Sequence, residues 1–178
     1  MLAATSFAAT PEQIESVVRG IDTPRDTLIP FVERRANRLL TEPLKISGQI
    51  LFTADGTLSK QVDPPFDESI TISARRVEFS RMGKTRRVSL NRRPDIKAFY
   101  VGMQALLAGD ASALLDSFEV VSTIDTDHWS LDLVPREEKL RTFVSRMVIS
   151  GRAGRVLTVR TEQPGGDWQE MSFDPTAD

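Results

Sequence analysis

The stretch 44–79 constrains the fold of this chain more than any other, because its apolar residues recur at every second position. Side chains of a strand point alternately to the two faces of a sheet, so this period indicates strands with one buried face. Turn residues at 54–56 and a proline-rich break at 63–67 divide the stretch, and a change of phase at 75–76 indicates a hairpin turn or bulge. The alternating residues are Leu44, Ile46, Ile50, Phe52, Ile70, Ile72, Ala74, Val77 and Phe79.

Helices are predicted on both sides of this stretch. The first follows Thr10, a suitable N-cap, and Gln13 can complete a capping box with it. The second extends over 96–108 and ends at Gly109, a residue type that commonly follows the last turn of a helix. An apolar cluster at 113–115 predicts a further helical turn.

The rest of the chain has the pattern of strands. Leu28, Phe31 and Val32 have a helical spacing, but Pro30 argues against a helix interior, so a strand is predicted from Phe31. The charged residues 33–35 are then expected at an edge or on a solvated face. Further strands are predicted at 84–90, 118–124, 129–135, 143–149, 156–160 and 168–173. Many antiparallel strands with few helices predict an α+β fold, in which a curved antiparallel sheet or incomplete β-barrel wraps around two or three helices. We expect one domain over 1–178, with 1–9 as a flexible N-terminus.

Composition excludes several classes of site. The chain has no cysteine and a single histidine, His128, so disulfides, thiolate chemistry and multi-histidine metal sites are excluded. His128 lies near Asp125 and Asp127 in a polar turn, and no nucleophile motif accompanies it, so catalysis there is not expected. We therefore predict no enzyme activity, no cofactor and no metal. The formal net charge of -2 gives no argument for nucleic acid.

The N-terminus leaves the cellular location open. Residues 1–5 have neither a basic segment nor the apolar segment of an intact signal peptide. The protein is thus either cytoplasmic or a mature chain whose signal peptide has been removed.

Several short segments resemble the LolA/LolB superfamily, and in particular the LolA-type periplasmic lipoprotein carriers. The resemblance depends on their order along the chain more than on any one of them. They are Phe31-Val32-Glu33-Arg34, Ser47-Gly48-Gln49-Ile50-Leu51-Phe52, Pro65-Phe66-Asp67-Glu68-Ser69-Ile70-Thr71-Ile72, Ala105-Leu106-Leu107-Ala108-Gly109-Asp110 and Trp129-Ser130-Leu131-Asp132-Leu133-Val134-Pro135.

The resemblance implies an incomplete barrel closed by a helical lid, an apolar cavity for acyl chains, a periplasmic location and a monomer. Such carriers pass acylated lipoproteins from an inner-membrane transporter to an outer-membrane acceptor. They usually have an arginine after the second strand that bonds the lid shut, whereas the equivalent residues 53–56 contain none. Leu58 and Lys60 replace the aromatic residues that usually follow. A relative with another lipidic cargo is therefore an open alternative.

Two interpretations of the apolar residues stay open. The period alone favours an ordinary filled core, while the resemblance favours a cavity that binds acyl chains. The predicted cavity residues are Val17, Ile50, Phe52, Leu58, Ile70, Ile72, Phe99, Met103, Leu106, Trp129, Leu131, Phe143 and Met147.

A run of arginines is the strongest charge feature. Four of these residues are predicted to contact an anionic membrane or an acidic partner: Arg75, Arg76, Arg86 and Arg87. A simpler explanation is that their charge protects a sheet edge from pairing with another chain. No recognition helix or stacking aromatic accompanies them, so nucleic acid is not expected.

The sequence thus predicts a periplasmic carrier or binding protein for lipoproteins or another lipophilic acyl ligand, shuttled towards the outer membrane inside an apolar cavity. The alternative is a lipid-sensing or protein-interaction domain without transport activity.

Overall fold

The computed structural model describes residues 10–173, so the predicted flexible segment 1–9 lies outside the described residues. The helices are α1 (Pro11–Arg19), α2 (Pro94–Leu107), α3 (Ala111–Ser117) and α4 (Glu138–Arg141), and a 3₁₀ turn, Leu90–Arg92, precedes α2. The strands are β1 (Leu28–Ala36), β2 (Leu44–Phe52), β3 (Leu58–Val62), β4 (Glu68–Ile72), β5 (Arg76–Arg81), β6 (Lys84–Ser89), β7 (Phe118–Ile124), β8 (His128–Pro135), β9 (Arg146–Arg152), β10 (Arg155–Glu162) and β11 (Trp168–Ser172).

All these strands form one curved, open antiparallel sheet in the order β6-β5-β4-β3-β2-β1-β11-β10-β9-β8-β7. Every other pair of adjacent strands in this sheet is consecutive in the chain. The pairing of β1 with β11 joins the two halves of the chain. The predicted α+β class with an incomplete barrel is therefore confirmed. Antiparallel pairing places the ends of β1, β3 and β5 at one end of the sheet, which we call the upper rim; the opposite end is the lower rim.

The helices cover one face of the sheet, which we call the inner face. Thr10 and Gln13 form the expected capping box, and Ile14 and Val18 of α1 are buried in the same core as the strands. Helix α2 packs closely on β9 at Gly102, where an added Cβ would lie 2.4 Å from the terminal carbon of Met147. None of the described helices has the length and apolar character needed to cross a membrane.

Two local predictions are wrong. Glu33 was expected at an edge or on a solvated face, but β1 is an interior strand between β2 and β11, and Glu33 is only 1% exposed on the inner face. Phe143 was expected to begin a strand, but the short helix α4 precedes it and β9 begins at Arg146, which leaves Phe143 in the connection. Pro30 is tolerated in β1 because β11 pairs only from Val32 onward, so the strand has one neighbour at that point.

Candidate functional site

The candidate site is a cavity of about 440 Å³ between α2 and the inner face of the sheet. This volume is typical of small-molecule sites, which span about 300–1,000 Å³. Strand alternation explains its apolar wall, because paired residues of antiparallel strands share a face. The apolar residues of the wall are Ile50, Leu58, Val62, Ile70, Ile72, Phe79, Ile96, Phe99, Val144 and Met171.

Charged residues line the same cavity towards the upper rim. Arg35 is at the end of β1, Glu68 begins β4 and Arg81 ends β5, so all three lie near this rim. Lys60, in the middle of β3, pairs with Ile50 on one side and Ile70 on the other. The lower-rim end of the cavity is therefore apolar, whereas the upper-rim end has these charged side chains beside apolar ones such as Val62 and Val144.

Lys60 forms a buried ion cluster with Glu33 and Arg35. The Lys60 ammonium is hydrogen-bonded to Glu33 and lies 4.8 Å from the centre of the Phe31 ring. Arg35 Nε donates to the other carboxylate oxygen of Glu33 at 2.6 Å. One carboxylate is thus shared by two cations.

The environment shifts the pKa values of the two buried members of this cluster. Burial raises the pKa of Glu33, but the charges of Lys60 and Arg35 outweigh burial and hold that pKa below its ordinary value. Burial lowers the pKa of Lys60, and Arg35 adds to the lowering, although Glu33 opposes it. The Glu33 carboxylate is therefore ionised at neutral pH, whereas the net effect on Lys60 is a pKa below its ordinary value.

The other charged residues of the wall are paired one to one. Arg81 lies 3.2 Å from Glu68, and Arg93 lies 2.7 Å from Asp95 at the start of α2. The Arg93 guanidinium is also 4.9 Å from the centre of the Phe79 ring. Each pair is close to neutral, so the ion cluster is where the wall carries excess positive charge.

The structure brings together five of the predicted cavity residues. Ile50, Leu58, Ile70, Ile72 and Phe99 all line this cavity. Phe52 and Met103 instead line a second cavity of about 440 Å³ at the lower rim, beside Pro24 and Phe173.

The remaining predicted residues line neither of these two cavities. Leu106, Trp129, Leu131 and Met147 are buried in the core, and Val17 packs against it. Phe143 is 45% exposed in the connection before β9. Ligand binding by any of the predicted residues stays a prediction.

Sequence reasoning missed the charged part of the wall. The signal was present, since Lys60 keeps the period of two with Leu58 and Val62, and Glu33 keeps it with Phe31. A charged residue in phase with buried residues indicates an ion inside the fold, whereas we expected Glu33 at an edge or on a solvated face and assigned no charged role to Lys60.

The four arginines predicted for docking are exposed but are spread over different surfaces. Arg75 and Arg76 lie at the turn between β4 and β5, at the lower rim. Arg86 pairs with Phe79 on the inner face of β6, whereas Arg87 pairs with Glu78 on the outer face and forms an ion pair with it. Strand β6 is one edge of the sheet, so Arg86 and Arg87 also protect that edge from pairing with another chain.

Helix α2 is attached to the turn between β2 and β3. The hydroxyl of Tyr100 and the amide of Gln104 both donate to the carbonyl of Gly56, at 2.9 and 2.8 Å. Burial and the nearby charge of Asp55 raise the pKa of Tyr100, so its hydroxyl stays protonated and can donate at neutral pH. The turn that lacks the expected arginine is therefore bonded to a helix by donors on the helix.

A comparison with protein families gives a match that spans nearly the whole chain. Residues 7–177 match the family described as outer membrane lipoprotein carrier protein LolA-like. The chain belongs to this LolA-like family. The match includes every described residue, so the sheet, the helices and the cavity all lie in the LolA-like region.

Solved structures similar to this LolA-like protein have low sequence identity. A LolA superfamily protein from Nitrosomonas europaea has 10% identity and a TM-score of 0.47, with 94% of this chain and 92% of that chain covered. A proposed outer membrane lipoprotein-sorting protein domain from Vibrio parahaemolyticus has 10% identity and a TM-score of 0.49, with 95% of each chain covered. LprF from Mycobacterium bovis has 12% identity and a TM-score of 0.38, with 95% and 94% covered. No curated protein sequence matches the chain significantly.

Proposed function

We propose that this LolA-like protein is a non-enzymatic carrier that encloses the acyl chain of a lipoprotein or another lipophilic molecule. The observation that carries the proposal is the cavity between α2 and the inner face, with Leu58, Ile70, Ile72 and Phe99 in its wall. Membership of a family described by lipoprotein carriage supports the same role.

Enclosure alone supplies the binding energy that such a role requires. Each methylene group moved from water into an apolar cavity gains about 0.8 kcal/mol, so an acyl chain binds without specific polar chemistry. The carrier would then act by keeping that chain out of water between membranes, and α2 would be the element that moves to admit or release it.

The proposed location is the periplasm, and the proposed route is towards the outer membrane. On this proposal an inner-membrane transporter supplies the cargo and an outer-membrane acceptor receives it, with the protein as a monomer. A lipid-sensing or interaction domain would bind the same acyl chain but would not transfer it.

The test is binding of an acyl ligand, measured by native mass spectrometry of the gently purified protein and by titration with a fluorescent fatty-acyl probe. We expect a lipid or acyl peptide at one per protein, and saturable binding of the probe. Ile70→Glu should abolish both, because it removes apolar surface from the wall and places a carboxylate beside Lys60, its cross-strand neighbour, within the space that the ligand would occupy. Ile70 is only partly buried, so the variant is expected to fold, which circular dichroism can verify.

Val121→Glu is the matched control, because Val121 is 57% exposed on the edge strand β7 and lies outside the cavity. It should bind the probe as the unchanged protein does. If the unchanged protein purifies without lipid and takes up no acyl probe, the carrier proposal is wrong and an interaction domain becomes the better interpretation. Transfer of bound cargo to acceptor membranes would separate a carrier from a sensor.

A further inference from the structure

The inner face of the sheet carries charge that an acyl cavity does not need. Glu33 is 1% exposed and Lys60 is 9% exposed, although both lie on the face that the helices cover. Removing such groups from water has a desolvation cost that their mutual attraction often fails to exceed. Apolar residues at both positions would give a cavity better suited to a neutral acyl chain.

The ion cluster has more positive charge than its own partners neutralise. Glu33 is bonded to both Lys60 and Arg35, so one carboxylate faces two cations. Glu68 and Asp95 are each paired with an arginine of the wall, Arg81 and Arg93, and the charge of Glu68 acts on Lys60 more weakly than that of Glu33. A second anion near Lys60 and Arg35 would complete the cluster.

The position of the cluster suits the head group of an amphiphile. Leu58 begins β3 and Ile72 ends β4 near the lower rim, whereas Arg35 lies near the upper rim. Lys60 stands between these two parts of the same cavity wall. A ligand with its chain towards the lower rim would therefore place its head group beside Lys60 and Arg35.

We propose that the cavity selects acyl ligands with one acidic head group, a carboxylate or a phosphate, which Lys60 and Arg35 bind while the chain contacts the apolar wall. This inference rests on the proposed function and narrows its ligand class. Charge-assisted hydrogen bonds are stronger than neutral ones, and their strength increases where water is excluded.

The test compares matched probes that have the same acyl chain, one with an acidic and one with a neutral head group. Binding of a long-chain fatty acid is compared with that of its methyl ester, and lysophosphatidic acid with the monoacylglycerol of the same chain. The assay is displacement of a fluorescent acyl probe from the full chain. We expect the acidic member of at least one pair to bind about tenfold more tightly. The pair with the larger preference identifies the head group as carboxylate or phosphate.

Variants distinguish charge from packing. Lys60→Met removes the excess charge and leaves Glu33 bonded to Arg35, so the preference should disappear while binding of the neutral probes persists. Adding Glu33→Gln to Lys60→Met leaves Arg35 as an unneutralised cation and should restore part of the preference. Arg35→Gln provides a second test if Lys60→Met does not fold. Arg87→Gln is the control, because it removes a positive charge from the outer face.

The outcomes separate this inference from the proposed function. Equal affinity for acidic and neutral probes, or a preference that survives Lys60→Met and Arg35→Gln, overturns the head-group site and leaves the carrier role standing. Failure of every acyl probe to bind overturns both.

Discussion

At the scale of single residues, Lys60 occupies a position that the strand period assigns to an apolar side chain. It lies between Leu58 and Val62 on the buried face of β3, and its charge is tolerated because Glu33 approaches from β1. The ring of Phe31 lies against the ammonium and provides a further favourable contact. The fold therefore tolerates the buried Lys60 charge only while Glu33 is present.

Glu33→Gln is expected to destabilise the protein by about 3–5 kcal/mol at neutral pH, because it leaves the buried Lys60 charge without its carboxylate. Urea unfolding followed by circular dichroism measures the change. The double variant with Lys60→Met should recover much of the loss, since no unpaired buried charge remains. A loss below about 1 kcal/mol for the single variant would mean that water reaches the pair.

The same substitution should change the dependence of stability on pH. The pKa of Glu33 in the folded protein lies below its ordinary value of 4.5, so this group stabilises the fold above that pH. The contribution is lost as pH falls from about 4.5 through the folded pKa. The difference in stability between the unchanged protein and Glu33→Gln should therefore shrink over that acidic window, and a constant difference would contradict the assignment.

At the scale of elements, α2 is held at two places by the connections between strands. Ala98 packs with Leu140 and Val144 near the upper rim, while Tyr100 and Gln104 donate to Gly56 in the turn between β2 and β3. The hydrogen bonds to Gly56 can be removed without changing the apolar wall of the cavity, since neither donor lines it. They are thus the contacts to alter when motion of α2 is tested.

Tyr100→Phe combined with Gln104→Leu should loosen α2, because each neutral hydrogen bond contributes about 1 kcal/mol. Hydrogen exchange should accelerate in α2 and in the turn 53–57, and a fluorescent acyl probe should associate and dissociate faster. Gln61→Leu is the control, since Gln61 is an exposed glutamine on β3. Unchanged exchange in α2 would mean that packing alone holds the helix.

The elements also show how far sequence predicts this fold. The period of two gave β2 and β8, because each has one buried and one exposed face that alternate along the strand. It did not predict the pairing of β1 with β11, which joins strands more than 130 positions apart through contacts that no local pattern contains. It also did not predict the helical turn α4, because four residues are too few to have a helical period.

The candidate site was predictable only in part, for a physical reason. Ile70, Ile72 and Phe99 have the same apolar pattern whether they fill a core or line a cavity, so periodicity cannot distinguish the two. Trp129 and Leu131 have that pattern too, yet they lie in the core. Whether facing elements leave a gap depends on the distance between α2 and the sheet, which is a property of tertiary packing.

At the scale of the whole molecule, the cavity makes ligand binding and folding parts of one equilibrium. Its wall includes residues from β1 to β5, from α2 and from β10 and β11, so these elements must be assembled before a ligand can be enclosed. A ligand that binds only the folded protein stabilises it through mass action. Ligand binding should therefore increase the free energy of unfolding of the whole protein, even if few contacts change locally.

A bound acyl ligand present at about 100 times its Kd should stabilise the protein by about 2.7 kcal/mol. Thermal unfolding with and without a soluble long-chain fatty acid measures this as an increase in Tm that grows with ligand concentration. Ile70→Glu should remove the increase in Tm, whereas Val121→Glu should retain it, because Ile70 lines the cavity and Val121 does not. An increase in Tm that survives Ile70→Glu would place the ligand outside the first cavity. A charge introduced in the second cavity, beside Phe52 and Met103, would then be the next variant to test.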